Sequence, residues 1–300
     1  MLNVHTSLLH VAQQVLGIGA RLGLLNCVTI DANCEDLMIP FQAYLHSMKL
    51  DKMIHLAYDE SGSDRIAKVV KPSSLEGSDA KITIYVSKRK CVPKSELEGL
   101  LAHEIGTHVI RMLNDDQSVW CRNNRKKYNL KSHQCSEEGL ACLNALAVKT
   151  GDAKDFVLWY PALRYYACVL SQSMDPHSLS HALIRYIPNR ESRERFCVRV
   201  FNRGNRDQAY FIGAIDILRH KPNFIDMYIG LLDRSDVARM KQVSSSKHAL
   251  ILPPFLNSKL KLNHHTNMIE EIAKINQINT LIIPRPVFEM VTKKEAISQH

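Results

Sequence analysis

Two histidines and a glutamate lie close together in the stretch LLAHEIGTHVIRML. His103 and Glu104 are adjacent, and His108 follows four residues after Glu104. Neutral imidazoles are common zinc ligands, and a carboxylate beside a metal-activated water is the usual general base of a metal-dependent peptidase. These residue types therefore indicate hydrolysis at a metal ion.

The spacing of the two histidines is unusual for such a site. In the common HExxH pattern the ligands lie four residues apart on one helix face, whereas here the pattern is HExxxH. On an α-helix, five residues turn roughly 500°, so the two imidazoles would diverge by about 140°. A π-type widening at Gly106 would let both reach one ion, and such bulges favour functional sites. The alternative is a half-buried helix with two polar faces and no metal.

A third ligand is available shortly downstream. Glu137 and Glu138 follow Ser136 at the expected start of another helix, and a carboxylate there would complete a His-His-Glu set with room for water. The alternative is that both acids suit the helix dipole in a first turn. His133 and Cys135 are possible decoy ligands, although no spacing rule connects them to the motif.

Two helices must position these side chains. The S-x-x-E pattern of Ser95 and Glu98 is a capping box, which predicts a helix from about 96 to about 113. Ser136 is expected to cap the second helix, which stops at Gly151.

The segment Lys81–Val86 alternates apolar and polar residues and is the clearest strand in the sequence. We expect it to be an edge strand, with which a substrate tail could pair in β-fashion. The adjacent Lys88, Arg89 and Lys90 would then face an acidic substrate. The alternative is a charged guard that protects a free edge.

The remaining elements are mostly helical. Short strands are predicted at 53–58 and 66–70, and helices at 2–25, 41–48, 153–171, from Asp175-Pro176, 191–202, 207–219, 222–232 and 266–277. LIIPRPVFEMV is expected to be an extended tail. The fold class is therefore α+β, mostly α-helical, with a small antiparallel or mixed sheet before the motif. We expect one catalytic domain over 1–300, with a motif core at about 35–240 and a tail at about 242–300 packed on it.

Charge and cysteine content limit the binding partners and the cellular location that we expect. The 300 residues include 39 Lys and Arg against 30 Asp and Glu, for a net charge of +9. A basic surface attracts nucleic acid, anionic membrane or acidic polypeptide. Only 7% of residues are aromatic and no nucleic-acid motif is present, so we expect no nucleic-acid partner. The eight cysteines contain no CxxC pair. We see no membrane span or secretion signal before them, so we expect reduced thiols and a cytoplasmic protein.

HEIGTH followed by EEGLA resembles the microtubule-associated tyrosine carboxypeptidase family, and also related bacterial proteins that are named for a QEGLA motif. The resemblance extends to QAYLHSMKLD, KITIYV, CVRVFNRG and RDQAYFIGAIDILRHK, and covers about residues 35–240. It implies an atypical HExxxH zinc metallopeptidase with one Zn²⁺ per chain. It also implies removal of the C-terminal tyrosine of α-tubulin.

The resemblance also implies roles for individual residues. His103 and His108 match the two histidine ligands, and Glu104 matches the catalytic glutamate. The bacterial motif varies the first acidic position and keeps the second, which points to Glu138 rather than Glu137 as the third ligand.

A carboxypeptidase also needs a cation for the terminal carboxylate of its substrate, and arginine does this best through a bidentate fork. Arg199, Arg203 and Arg206 lie in the downstream block that resembles the family, and we favour Arg199 first. Tyr210 is the candidate oxyanion donor or substrate contact. The alternatives are solvated surface arginines and a packed aromatic side chain.

Three interpretations follow. The first is a monomeric zinc carboxypeptidase, cytoplasmic and associated with the cytoskeleton, whose partner is the α-tubulin tail or a similar acidic peptide. The second is a QEGLA-type peptidase with another peptide substrate. The third is a non-catalytic basic module that binds acidic tails, but such a module has no use for Glu104 beside the first histidine.

Overall fold

The computed structural model describes residues 4–24, 36–61, 65–71, 81–88, 92–244 and 249–278. The helices are α1 Leu9–Arg21, α2 Met38–Ser47, α3 Lys94–His103, α4 Ile110–Asp116, α5 Gln134–Ala147, α6 Trp159–Leu170, α7 Pro176–Ala182, α8 Arg190–Arg203, α9 Gln208–His220, α10 Arg234–Val243 and α11 Lys259–Ile275. The strands are β1 Ile54–Asp59, β2 Ala67–Val70 and β3 Ile82–Ser87. The predicted α+β class, mostly helical with a small sheet before the motif, is confirmed.

The motif lies on one uninterrupted helical segment from Lys94 to Asp116, which we call the motif helix. It consists of α3, a π-helical segment at Glu104–Val109 and α4. The predicted widening at Gly106 is therefore confirmed. The prediction of a capping box at Ser95 is wrong, because the extended Pro93 takes the N-cap position and Ser95 lies in the first turn.

The sheet has the order β1-β3-β2, so β3 is its central strand. β3 pairs in parallel with β1 and antiparallel with β2. The prediction that Lys81–Val86 forms a free edge is wrong, and a substrate strand cannot add there because both sides are already hydrogen-bonded. Lys88 pairs with Glu60 at 2.7 Å, while Arg89 and Lys90 lie outside the described residues.

The motif helix lies between two apolar cores. Ile105 and Val109 are buried among side chains of the sheet and α2, whereas Ile110 belongs to the larger core built by α1, α5, α6, α9 and α11. Helix α5 takes part in the second core and also carries Glu138, toward which His103 and His108 of the motif are directed.

Helices α5 and α9 approach each other through glycine. A Cβ added to Gly139 would lie 2.1 Å from the carbonyl carbon of Gly213, and one added to Gly213 would lie 1.7 Å from the carbonyl oxygen of Cys135. Only glycine at both positions allows this backbone contact. The contact sets the position of Glu138 relative to α9.

Several predicted helix boundaries change. Ser136 lies inside α5 rather than at its N-cap, and its hydroxyl donates to Asp233 Oδ2 at 3.0 Å. The prediction of a helix over 222–232 is wrong, because only a 3₁₀ turn at Asp226–Tyr228 forms, and α10 follows unpredicted. Asp175 caps α7 as expected. The predicted extended tail LIIPRPVFEMV lies outside the described residues.

Within the described ranges, no helix combines the length and apolar character that crossing a bilayer requires. The five cysteines in those ranges are Cys121, Cys135, Cys142, Cys168 and Cys197, and all are free.

We expect Gly139→Ala to destabilise the protein by about 1–3 kcal/mol or more, because the new methyl group would overlap the backbone of α9. The matched control is Gly17→Ala in α1, where an added Cβ has only an ordinary contact at 3.7 Å and should stabilise by about 0.5–1 kcal/mol. Urea unfolding measures both. Equal unfolding free energies for the two variants would contradict the close helix contact.

Candidate metal centre

Three side chains meet between the motif helix and α5. One ligand atom from each of His103, His108 and Glu138 lies within 4.8 Å of the other two. The Nε2 atoms of His103 and His108 are 3.8 Å and 3.7 Å from Glu138 Oε2. The structure thus brings together the three residues that the sequence analysis proposed as ligands.

The π-helical turn allows this convergence, and side chains from the turn itself and from other elements complete its hydrogen bonding. The Tyr228 hydroxyl donates to the Gly106 carbonyl at 2.9 Å, and the Thr107 hydroxyl donates to the Ala102 carbonyl at 2.9 Å. Asn144 of α5 donates to both hydroxyls, at 2.9 Å and 2.8 Å. Since unpaired buried backbone carbonyls are costly, these bonds stabilise the wide turn.

The network extends into α11. The Asn144 side-chain oxygen is 2.9 Å from His265 Nε2. The His265 ring stacks on Phe255 with centroids 5.3 Å apart, and Phe255 in turn lies against Gly106, where an added Cβ would be 2.9 Å from its ring. The wide turn is therefore enclosed as well as hydrogen-bonded.

His108 is held in one orientation by an acidic partner. Its Nδ1 lies 2.7 Å from Glu137 Oε1, and because a carboxylate only accepts, Nδ1 is the donor and Nε2 faces Glu138. Glu137 is held by the fully buried Arg111, which also donates to the carbonyls of Met227 and Leu232 at 2.9 Å and 2.8 Å.

His103 is oriented differently. Its ring hydrogen-bonds the backbone of Ala141 and stacks on Tyr210 of α9, with centroids 6.3 Å apart and planes 19° apart. Each histidine therefore has a second contact besides Glu138 that restrains its ring.

The electrostatics of the group favour neutral His103 and ionised Glu137. Burial, followed by the charges of His108 and Arg164, lowers the pKa of His103 to about 3. Burial opposes the charge on His108, but the hydrogen bond and charge of Glu137 outweigh it and raise the pKa of His108 to about 9. Metal binding would therefore displace a proton from His108.

Glu104 is the first residue of the π-helical segment and lies outside the three-ligand group. Burial, with a contribution from Glu138, raises its pKa, while His108 acts in the opposite direction. A carboxyl group whose pKa is raised toward neutrality suits proton transfer.

The donor set fits a zinc ion. Glu138 Oε2 is buried and has no hydrogen-bond partner among the described residues, which is costly unless a cation binds there. Donors on a tetrahedral zinc are roughly 3.3–3.5 Å apart, close to the 3.8 Å and 3.7 Å measured from this oxygen to the two imidazoles.

Comparison with known proteins identifies relatives. The human "Putative tyrosine carboxypeptidase MATCAP2" is 32% identical over 215 residues, which cover 67% of this chain and 38% of the relative. The rat "Microtubule-associated tyrosine carboxypeptidase 1" is 29% identical over 202 residues, covering 61% and 40%. The chain thus spans about two fifths of the length of these curated relatives. No protein-family model matches.

The chain belongs to this family of tyrosine carboxypeptidases. A crystal structure titled "putative lipoprotein from Colwellia psychrerythraea" is similar in fold alone, with a TM-score of 0.51 and 14% identity over 91% of this chain and 52% of that chain.

The residues of this family member that were predicted to bind substrate lie outside the three-ligand group. Arg199 and Arg203 both pair with the buried Asp207, at 2.9 Å and 3.0 Å, while Arg206 is exposed. Their role in substrate binding stays a prediction, as does that of Tyr210. Neither His133, at the N-cap of α5, nor Cys135, in its first turn, belongs to the ligand group found among the described residues.

Sequence reasoning missed several supporting residues. Arg111, Asn144, Tyr228 and His265 have no motif of their own, and their importance follows only from tertiary contacts. Arg164 was also missed, although it lies against Tyr210 with its guanidinium carbon 4.8 Å from the ring centroid.

We expect Glu138→Gln to abolish stoichiometric zinc binding and Glu137→Gln to weaken it by roughly 10- to 100-fold, because Glu137 only orients His108. Competition with a chromophoric chelator measures both affinities, and Glu98→Gln on the exposed face of the motif helix is the control. A larger loss for Glu137→Gln than for Glu138→Gln would reverse the assignment of the third ligand.

We expect Tyr228→Phe to lower the free energy of unfolding by about 1–3 kcal/mol, because the Gly106 carbonyl and one Asn144 donor lose their partner. Tyr128→Phe, at a tyrosine outside this network, is the control. Chemical denaturation with zinc removed separates this effect from metal binding. Unchanged stability would show that the wide turn does not need the hydroxyl.

Proposed function

We propose that this chain is a zinc-dependent carboxypeptidase that removes the C-terminal tyrosine, or a similar last residue, from an acidic protein tail such as that of α-tubulin. The observation that carries the proposal is the meeting of His103, His108 and Glu138 beside Glu104 in a member of the tyrosine carboxypeptidase family. The net charge of +9 agrees with an acidic substrate.

In this proposal His103, His108 and Glu138 hold the zinc. Bound zinc supplies Lewis-acid polarisation of the scissile carbonyl and lowers the pKa of a water molecule. Glu104 accepts a proton from the attacking water at its carboxylate and passes it to the leaving amine. Its raised pKa suits both transfers.

Tyr210 is proposed to donate a hydrogen bond to the developing oxyanion or to contact the substrate. Burial, followed by the charge of Glu138, raises the pKa of Tyr210, so its hydroxyl keeps the proton that a donor needs. Its ring already stacks on His103.

The proposal also concerns where the reaction occurs. The rat relative is named as microtubule-associated, and we extend that association, with a cytoplasmic location and a monomeric state, to this chain as part of the proposal. The α-tubulin tail or a similar acidic peptide is then the expected partner.

We expect the zinc-loaded protein to remove one residue from a synthetic acidic peptide ending in Glu-Tyr, as measured by mass spectrometry, and a zinc chelator to stop the reaction. Glu104→Gln should lower the rate by at least about 100-fold while zinc content is retained, because only the proton acceptor is lost. Glu98→Gln on the same helix should keep full activity.

A panel of peptides that differ in the last residue tests substrate choice in the same assay. Removal of another residue, with tyrosine left intact, would support a peptidase with a different substrate. No cleavage of any peptide by protein that carries one zinc per chain would contradict the proposed function.

A further inference from the structure

Arg164 of α6 is held between two tyrosine rings next to the metal centre. Its guanidinium carbon is 4.3 Å from the ring centroid of Tyr160 and 4.8 Å from that of Tyr210. The charge of the guanidinium also contributes to lowering the pKa of Tyr160. Contacts between a cation and aromatic rings restrain the guanidinium and suit arginine better than lysine.

This guanidinium has no carboxylate partner. No Asp or Glu oxygen lies within ion-pair distance of Arg164 in the part of the chain that the structure describes, and its buried Nε has no hydrogen-bond partner there. Arg199 and Arg203 differ, because each already pairs with Asp207. The side chain of Arg164 is half-buried, and the Asp207 charge acts on it only from beyond ion-pair distance. A buried donor without a partner is costly, and a carboxylate ligand would supply the partner that is missing.

The location suits the end of a peptide substrate. Arg164 lies over the Tyr210 ring and His103 stacks on the same ring, so the guanidinium and a proposed zinc ligand share one aromatic neighbour. The terminal carboxylate of a carboxypeptidase substrate lies only one residue beyond the scissile bond, within roughly 4–5 Å of it. The charge of Arg164 contributes to lowering the pKa of His103, so the guanidinium is near enough to the metal centre to be the group that binds this carboxylate.

We propose that Arg164 binds the α-carboxylate of the last substrate residue, and that this contact restricts the enzyme to chain ends. The inference rests on the proposed function. It gives Arg164 the role that the sequence analysis assigned first to Arg199. In this arrangement Tyr160 and Tyr210 hold the guanidinium in place, and its remaining donors bind both oxygens of the carboxylate.

The test compares two peptides of the same acidic sequence ending in Glu-Tyr, one with a free C-terminal carboxylate and one with a C-terminal amide. We expect the wild type to prefer the free carboxylate in kcat/KM by roughly 100-fold. Arg164→Gln and Arg164→Lys should lose most of that preference by slowing cleavage of the free acid. Arg195→Gln, at an exposed arginine of α8 that pairs with Glu191, should keep it.

Because the preference is a ratio, it does not depend on the fraction of folded enzyme, and zinc content and thermal unfolding confirm that each variant is intact. If the wild type cleaves the acid and Arg164→Gln keeps the same acid-to-amide ratio, the Arg164 proposal is overturned and the proposed function stands.

Fluorescence anisotropy, which measures binding of labelled peptides, tests the opposite case, in which the carboxylate site exists but the protein cleaves neither peptide. If the wild type cleaves neither peptide but binds the free acid more tightly than the amide, and Arg164→Gln loses that difference, the carboxylate site stands and the proposed function fails. If the wild type neither cleaves nor distinguishes the two peptides in binding, both proposals are overturned.

Discussion

The hydrogen bond from Tyr228 to the Gly106 carbonyl supports the irregular turn on which the candidate metal centre depends. A regular α-helix would direct His103 and His108 to different sides, and the π-helical turn brings both toward Glu138. Such a turn is rare because it weakens the helix ladder. Here Tyr228 and the turn's own Thr107 donate to the affected carbonyls, and Phe255 packs against the glycine. These contacts offset the cost of the irregular turn.

A second constraint comes from the backbone contact between α5 and α9. Gly139 directly follows Glu138, and its partner Gly213 lies one helical turn after Tyr210. The contact therefore fixes the third proposed ligand and the aromatic side chain that stacks on His103 in one step. Together with the Arg111 and Glu137 pair behind His108, it means that the reactive groups are positioned by rigid helices rather than by loops, as accurate placement of a site requires.

Local spacing predicted the motif, and tertiary pairing limited what else could be predicted. The widening at Gly106 followed from the five-residue separation of the histidines, and the choice of Glu138 over Glu137 came from the family resemblance. The strand β3 was misplaced at an edge because alternation reveals which face is buried and says nothing about which strands lie alongside. Nothing in the sequence points to Arg164. It is distinguished by a buried donor without a hydrogen-bond partner, and this can be seen only in the folded chain.

The hydrogen-bond network around the wide turn also determines which fragments of the chain can keep an intact centre. Asn144 joins the motif helix and Tyr228 to His265 of α11. A fragment that ends after α10 would contain every residue of the HExxxH and EEGLA motifs and would still lack the final member of this network. Motif content alone is therefore a poor guide to the smallest fragment that keeps an intact centre. A fragment that keeps this network must run at least from α2, whose Tyr44 faces Gly106, through α11.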